Sequence, residues 1–156
     1  MKNTANELRS IINEYVPKLN ALSEEVFGSR PSVQKWSKKE VIGHLIDSAH
    51  NNYRRFITGQ YEPQPPKIHY DQEFWVAQGR YQEMDPHDLV ALWKLLNERI
   101  CVVLENMITE NHSKECDTGK TGVELHSIEW LASDYVKHLK HHLNQVFAKA
   151  FDIVYP

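Results

Sequence analysis

Apolar residues recur at helical spacing in four long segments of this chain, and this periodicity limits the fold more than any other feature. The spacing predicts helices near residues 4–26, 37–58, 86–109 and 127–150. The sequence contains no convincing strand–turn–strand pattern, internal repeat or low-complexity tract. We therefore expect an all-α fold in which residues 1–156 form a single four-helix bundle.

Capping signals mark where three of these helices begin. Ser37 and Glu40 have the spacing of a capping box, in which each side chain accepts a hydrogen bond from a backbone N–H of the other. Asp85 followed by Pro86 is typical of a helix start, because proline fits the first helical position. Ser127 is the expected cap of the last helix.

Breaks between the helices are also visible. Pro17 should kink or restart the first helix near Val16. Residues 28–33 read as a loop, and the second helix should end near Gly59. A long crossover, Gln60 to Met84, then connects the second and third helices. Asp71 is placed to cap a short helix over 72–78 within it.

Composition excludes several classes of protein. The net charge of -3 does not indicate a basic surface that would bind nucleic-acid phosphates. No apolar run approaches the roughly 20 residues that span a bilayer, so we expect no membrane association. Charged residues in the first ten positions do not resemble a secretory signal, which leads us to expect a cytoplasmic protein. Cys101 lies in an apolar helical stretch and is expected in the core, whereas Cys116 receives no role.

The nine histidines are numerous for this length, and two of them face inward on the last helix. With about 100° of rotation per residue, His142 falls inside the apolar arc and His138 at its edge, while His141 points outward. On the second helix, His44 lies between the apolar arc and a polar column that contains Ser48 and Arg55.

Histidines four residues apart on one helical face are an arrangement that binds metal ions. Three neutral imidazoles would leave a fourth position open for water or substrate. The same spacing also occurs on ordinary helices, and His141 is spaced to pair with His138 at i, i+3 instead. Periodicity alone does not bring His44 to the other two.

Two stretches resemble the DinB-like (DinB/YfiT) superfamily. Residues 36–48 (WSKKEVIGHLIDS) are similar to the entry of that family's second helix, and residues 135–145 (YVKHLKHHLNQ) to its fourth-helix motif. The resemblance implies an up-down-down-up bundle and one divalent metal ion held by His44, His138 and His142. Imidazole suits zinc, nickel, copper and iron, and we expect zinc or nickel. His50, His69, His87, His112 and His126 are left without a role.

The resemblance also implies a function. Relatives include metal-dependent transferases and isomerases that use small thiols such as bacillithiol, mycothiol or glutathione. We therefore expect an enzyme for a small-molecule substrate, either a thiol transferase or a hydrolase, with a metal-bound thiol or water as the reactive group. Arg55, or Arg54 beside it, is the candidate for binding a substrate carboxylate. The alternative is a non-catalytic, stress-related metal-binding protein.

A homodimer is also predicted. Trp93 and the broad apolar face of the third helix exceed what one bundle is expected to bury, and exposed apolar patches mark interfaces.

Overall fold

Six helices and one short hairpin make up the computed structural model, which describes residues 1–155. The helices are α1 (Lys2–Asn20), α2 (Glu24–Gly28), α3 (Lys38–Tyr61), α4 (Gln72–Gly79), α5 (Pro86–Asn106) and α6 (Ile128–Val146), with 3-10 turns over Tyr81–Glu83 and Thr109–Asn111. The strands β1 (Glu115–Asp117) and β2 (Leu125–Ser127) pair antiparallel, with Cys116 opposite His126. The long helices α1, α3, α5 and α6 form the predicted four-helix bundle.

Contacts at the helix ends give the bundle its topology. Ser37 and Lys39, at the start of α3, both bond Gln82, which shortly precedes α5, so α3 and α5 run parallel. Helix α1 runs antiparallel to α5. Asn20 Oδ1, at the end of α1, lies 3.2 Å from His87 Nδ1 at the start of α5, and Arg9 pairs with Glu105 near the end of α5 at 2.6 Å.

Helix α6 runs antiparallel to α3 and parallel to α1. The Lys38 ammonium, at the start of α3, donates to the Val146 carbonyl at the end of α6. Lys140 pairs with Glu7, and further along α1 Tyr15 packs on Phe147, which directly follows α6. The order is therefore up-down-down-up, as expected, and the long crossover returns the chain to the start of the bundle.

The predicted caps are present. The Glu40 amide donates to Ser37 Oγ at 3.1 Å and the Ser37 amide to Glu40 Oε2 at 2.8 Å, which completes the capping box. Asp85 Oδ1 accepts from the amides of residues 87 and 88, and Ser127 Oγ from that of residue 130. Asp71 caps α4 through the amide of residue 74. These bonds satisfy backbone donors that the first turn of a helix leaves free.

The first and last long helices end earlier than predicted, and one hairpin was not predicted. The first helix does not restart at Val16: Pro17 lies inside α1, and the break comes at residues 21–23, after which Ser23 caps α2. The last helix ends at Val146, short of residue 150, because Phe147 leaves helical geometry. The other two long helices end at Tyr61 and Asn106. The hairpin of β1 and β2 was missed, since three-residue strands are too short for period-2 alternation to show.

The core lies between the four long helices and is closed by α2 and the crossover. Its largest fully buried side chains include Trp93, Tyr135, Phe27 and Phe56. Cys101 is buried as predicted, and so is Cys116 on β1. Within residues 1–155, no helix is both long and apolar enough to cross a membrane.

Candidate metal centre

Three histidines from two helices meet at one side of the bundle. His44 is fully buried in the second turn of α3, and His138 and His142 lie one turn apart on α6. One ligating atom from each residue lies within 4.8 Å of the other two. His44 Nε2 and His138 Nε2 lie 3.2 Å apart. The antiparallel packing of α3 on α6 thus brings together the three residues that the sequence nominated.

Neighbouring side chains orient the two imidazoles of α6. His142 Nδ1 lies 3.1 Å from Gln145 Oε1, and because an amide oxygen only accepts, Nδ1 carries the proton and Nε2 keeps a lone pair. His138 Nδ1 faces Ser48 Oγ at 3.5 Å, which again leaves Nε2 free to ligate. A metal-binding histidine is commonly held in this way through its second ring nitrogen.

His44 is placed by packing. Its ring lies against Trp36, with 5.1 Å between the ring centroids, and is 4.5 Å from the ring of His142. Its Nδ1 is buried and has no hydrogen-bond partner among residues 1–155. Leaving a buried polar nitrogen unpaired costs about 1–3 kcal/mol, so this ring stabilises the fold less than a fully hydrogen-bonded side chain would at the same position.

Burial keeps all three rings neutral. It lowers the pKa of His44 to about 3, with a smaller contribution from His142. It also lowers the pKa of His138 well below its ordinary value, helped by the nearby histidines. The pKa of His142 is lowered by burial as well, although the hydrogen bond with Gln145 raises it. Neutral imidazole is the form that ligates a metal.

The arrangement fits a divalent ion. Bonds of about 2.0–2.1 Å in a tetrahedral site put two ligand nitrogens roughly 3.3 Å apart. The observed 3.2 Å between His44 and His138 matches that spacing. Two lone pairs facing each other at this distance repel unless a proton or a cation lies between them. The residues present can therefore hold a metal through three nitrogens, with a further position open.

His141 is not part of this cluster. Its Nε2 accepts a hydrogen bond from the Gln145 amide at 3.3 Å, so Gln145 bridges His141 and His142. The three ligating atoms that come together include one from His138 but none from His141, so the alternative pairing of these two residues is not observed.

Two clefts lie near the centre, although none of the three histidines is in their walls. The larger has a volume of about 590 Å³ and is bounded by Trp36, Lys38 and Gln145, two of which contact the histidines. The smaller, of about 340 Å³, is lined by Arg55, Tyr70 and Lys120. Both have Gln72 and Glu73, at the start of α4, in their walls.

Arg55 is already engaged. Its guanidinium donates to the Ile68 carbonyl at 2.6 Å and to Asn52 Oδ1 at 3.2 Å, and so ties α3 to the crossover. Arg54 is exposed. Arg55 thus lines the smaller cleft, but the hydrogen bonds that its guanidinium makes within residues 1–155 all go to Ile68 and Asn52.

A family model connects this geometry with known proteins. The model of the DinB superfamily matches residues 7–146, most of the chain. The chain belongs to the DinB superfamily.

Two curated DinB-like relatives are similar in sequence. A protein of Bacillus licheniformis, classed as a candidate metal-dependent hydrolase, is 28% identical over 127 residues, which cover 81% of this chain and 72% of that protein. YfiT of Bacillus subtilis, classed in the same way, is 28% identical over 111 residues, which cover 71% of this chain and 62% of YfiT.

Solved structures share the DinB fold. YfiT, described as a probable metal-dependent hydrolase with an unusual four-helix bundle topology, aligns with a TM-score of 0.82 at 22% identity, over 92% of this chain and 82% of that one. A mycothiol-dependent maleylpyruvate isomerase aligns with a TM-score of 0.69 at 16% identity, over 90% of this chain and 58% of that one. These likenesses confirm the fold.

Sequence reasoning missed three residues that contact the histidines. Trp36 and Gln145 lie inside the two DinB-like stretches, yet neither was given a role. Tyr155, whose ring centroid is 5.6 Å from that of His138, follows the predicted end of the last helix. Helical periodicity carries no signal for a side chain that reaches the site from a non-helical tail.

Proposed function

We propose that this protein is a metal-dependent hydrolase that binds one divalent ion, zinc or nickel, through His44, His138 and His142. The observation that carries the proposal is the convergence of three neutral imidazoles, next to Trp36 and Gln145 of the larger cleft. The similarity to two candidate metal-dependent hydrolases supports hydrolysis as the reaction class.

A divalent ion bound by three neutral nitrogens is a Lewis acid that lowers the pKa of a bound water or thiol and so supplies a nucleophile near neutral pH. The chain's own residues prepare for this. Burial holds the rings unprotonated, Gln145 and Ser48 fix the two imidazoles of α6, and Trp36 shields His44 from water.

The substrate is a small molecule in this proposal, because the clefts match the volumes of small-ligand sites. Arg55 and Lys120 place positive charges in the smaller cleft, beside the carboxylates of Asp71 and Glu73. Only part of the Arg55 guanidinium is free to meet a substrate carboxylate, since the rest bonds Ile68 and Asn52.

Thiol-dependent transfer is the second candidate. The larger cleft, about 590 Å³ beside Trp36 and Gln145, is far roomier than an attacking water needs, and a low-molecular-weight thiol would fit it. A fold neighbour is a mycothiol-dependent isomerase. Bacillithiol and glutathione are the thiols to test. A cytoplasmic location belongs to the same proposal, since both cysteines are free thiols.

The test of the metal centre compares two adjacent histidines. Replacing His142 by Ala removes a ligand, and we expect the affinity for zinc to fall more than about 100-fold, beyond what loss of a supporting residue causes. His141→Ala is the matched control and should change affinity less than about tenfold. Metal content would be measured by elemental analysis after gentle purification. Retention of metal by His142→Ala but not by His141→Ala would overturn the assignment.

The reaction class needs a separate assay. The metal-loaded protein would be offered a panel of esters and amides, and then electrophiles with bacillithiol or glutathione, with products identified by mass. Hydrolysis that His142→Ala abolishes supports the proposal, and a thiol adduct favours the second candidate. Binding of metal without turnover of either panel would favour the non-catalytic metal-binding protein.

A further inference from the structure

The chain turns back on itself after α6. Residues 147–155, here called the C-terminal strap, reverse direction through Lys149, whose φ of 58° lies in the left-handed region. Asn144 secures the turn with two hydrogen bonds to one residue: its Oδ1 accepts from the Phe151 amide at 2.8 Å, and its Nδ2 donates to the Phe151 carbonyl at 3.0 Å. A single side chain thus fixes the root of the strap.

Aromatic packing holds the strap to the bundle. The Phe151 ring lies 5.3 Å from that of Tyr15 on α1, and the Lys140 ammonium lies over it at 5.5 Å. Val154 is almost fully exposed, whereas Tyr155 is half-buried. The strap therefore presents one side chain to solvent and turns the next toward the protein.

Tyr155, in the last part of the strap, lies beside the candidate metal centre. Its ring centroid lies 5.6 Å from that of His138 and 5.5 Å from that of His141. Its hydroxyl donates to Asp134 Oδ2 at 3.2 Å, one turn before His138. The hydrogen bond and the ring contacts together fix the position of the tyrosine on this face of α6.

We propose that Tyr155 is a positioning residue of the metal centre, which covers the outer side of His138 and limits the loss of the ion on that side. The inference rests on the proposed metal site. Within residues 1–155, the polar contact of His138 Nδ1 is a long one, with Ser48 at 3.5 Å. The packed Tyr155 ring is then a second support for the orientation of this imidazole. Tyr155 lies on the α6 side of the centre, whereas Trp36 and Arg55 line the two clefts.

Cobalt(II) is the probe for this proposal, because its visible absorption reports the geometry of its ligands. Loaded wild-type protein and variants would be mixed with excess EDTA, and the loss of the cobalt band followed in time. Tyr155→Ala should release cobalt about tenfold faster and alter the absorption band, because a supporting contact of His138 is lost. Tyr155→Phe keeps the ring and should restore both values close to wild type.

Two further variants separate the strap from general destabilisation. Asn144→Ala frees the root of the strap without touching Tyr155, and should also speed release. Val154→Ala changes an exposed neighbour and should release cobalt as the wild type does. Circular dichroism would check that each variant keeps its helices.

The outcomes are distinguishable. If wild-type protein takes up no cobalt, the proposed metal site fails, and the role of Tyr155 with it. If cobalt binds but Tyr155→Ala leaves its release rate and absorption band unchanged, only the role of Tyr155 is overturned. Equal acceleration by Tyr155→Ala and Val154→Ala would also refute it.

Discussion

Asp47, a buried carboxylic acid three residues after His44, should make the stability of this protein fall as pH rises. It is 4% exposed, and the Tyr81 hydroxyl donates to its Oδ1 at 2.5 Å. Its Oδ2 has no hydrogen-bond partner in the described part of the chain, residues 1–155. Burial raises the pKa of Asp47 to about 6, against the opposing effects of the Tyr81 hydrogen bond and of His50.

The sign follows from proton binding. The folded state holds this proton more tightly than the unfolded state, whose carboxyl has the ordinary pKa of 3.8. Stability is therefore highest below the unfolded value and declines as pH rises through the folded one. At about 1.4 kcal/mol per pKa unit, the full cost is about 3 kcal/mol, of which about 2 kcal/mol develops between about pH 4.5 and about pH 7.5.

Asp47→Asn removes this titration. The new amide leaves an Nδ2 without a partner, which costs about 1–3 kcal/mol at every pH, while Oδ1 still accepts from Tyr81. The free energy of unfolding of the variant, minus that of the wild type, should rise by about 2 kcal/mol between about pH 4.5 and about pH 7.5. Other titrating groups, such as the buried histidines, cancel in this difference.

Urea unfolding at a series of pH values, followed by tryptophan fluorescence with EDTA present, would measure it. Tyr81→Phe is the companion variant. Losing the hydroxyl deprives ionised Asp47 of a hydrogen bond, so the decline in stability should become larger and move to higher pH. A difference between Asp47→Asn and wild type that stays within about 0.5 kcal/mol across the range would refute the reasoning.

Three further predictions concern the metal centre, the capping box and assembly. The affinity for zinc, measured by competition with a chelator, should stay unchanged down to about pH 6.5 and fall only below it, because burial lowers the pKa values of the three ligands. A loss of half of the binding already at that pH would contradict this prediction. Ser37→Ala should lower the free energy of unfolding by about 1 kcal/mol, with Ser133→Ala as an exposed control in the same urea titration. The homodimer stays a prediction. Because Trp93 is fully buried, the dimer contact would be formed by the exposed face with Leu92, Leu95 and Val102. Light scattering should give the mass of a dimer for the wild type and half that mass for Leu95→Glu, and a monomeric wild type would disprove the prediction.

Elements with local signals were predictable from the sequence alone. Caps at Ser37, Asp85 and Ser127 depend on neighbours within one helical turn, and apolar periodicity is complete within each helix. The same periodicity turned His138 and His142 inward. The resemblance to the DinB superfamily added His44 and the order of the helices, which no single helix encodes.

Tertiary structure decided what depends on distant partners. The 3.2 Å approach of His44 to His138 exists only because α3 packs antiparallel on α6. Arg55 donates a hydrogen bond to the Ile68 carbonyl because the crossover passes beside α3. Tyr155 reaches His138 because Asn144 and a left-handed turn at Lys149 reverse the chain. Such contacts join residues far apart in sequence or beyond a helix end, where helical spacing gives no information, so they appear only once the helices are packed.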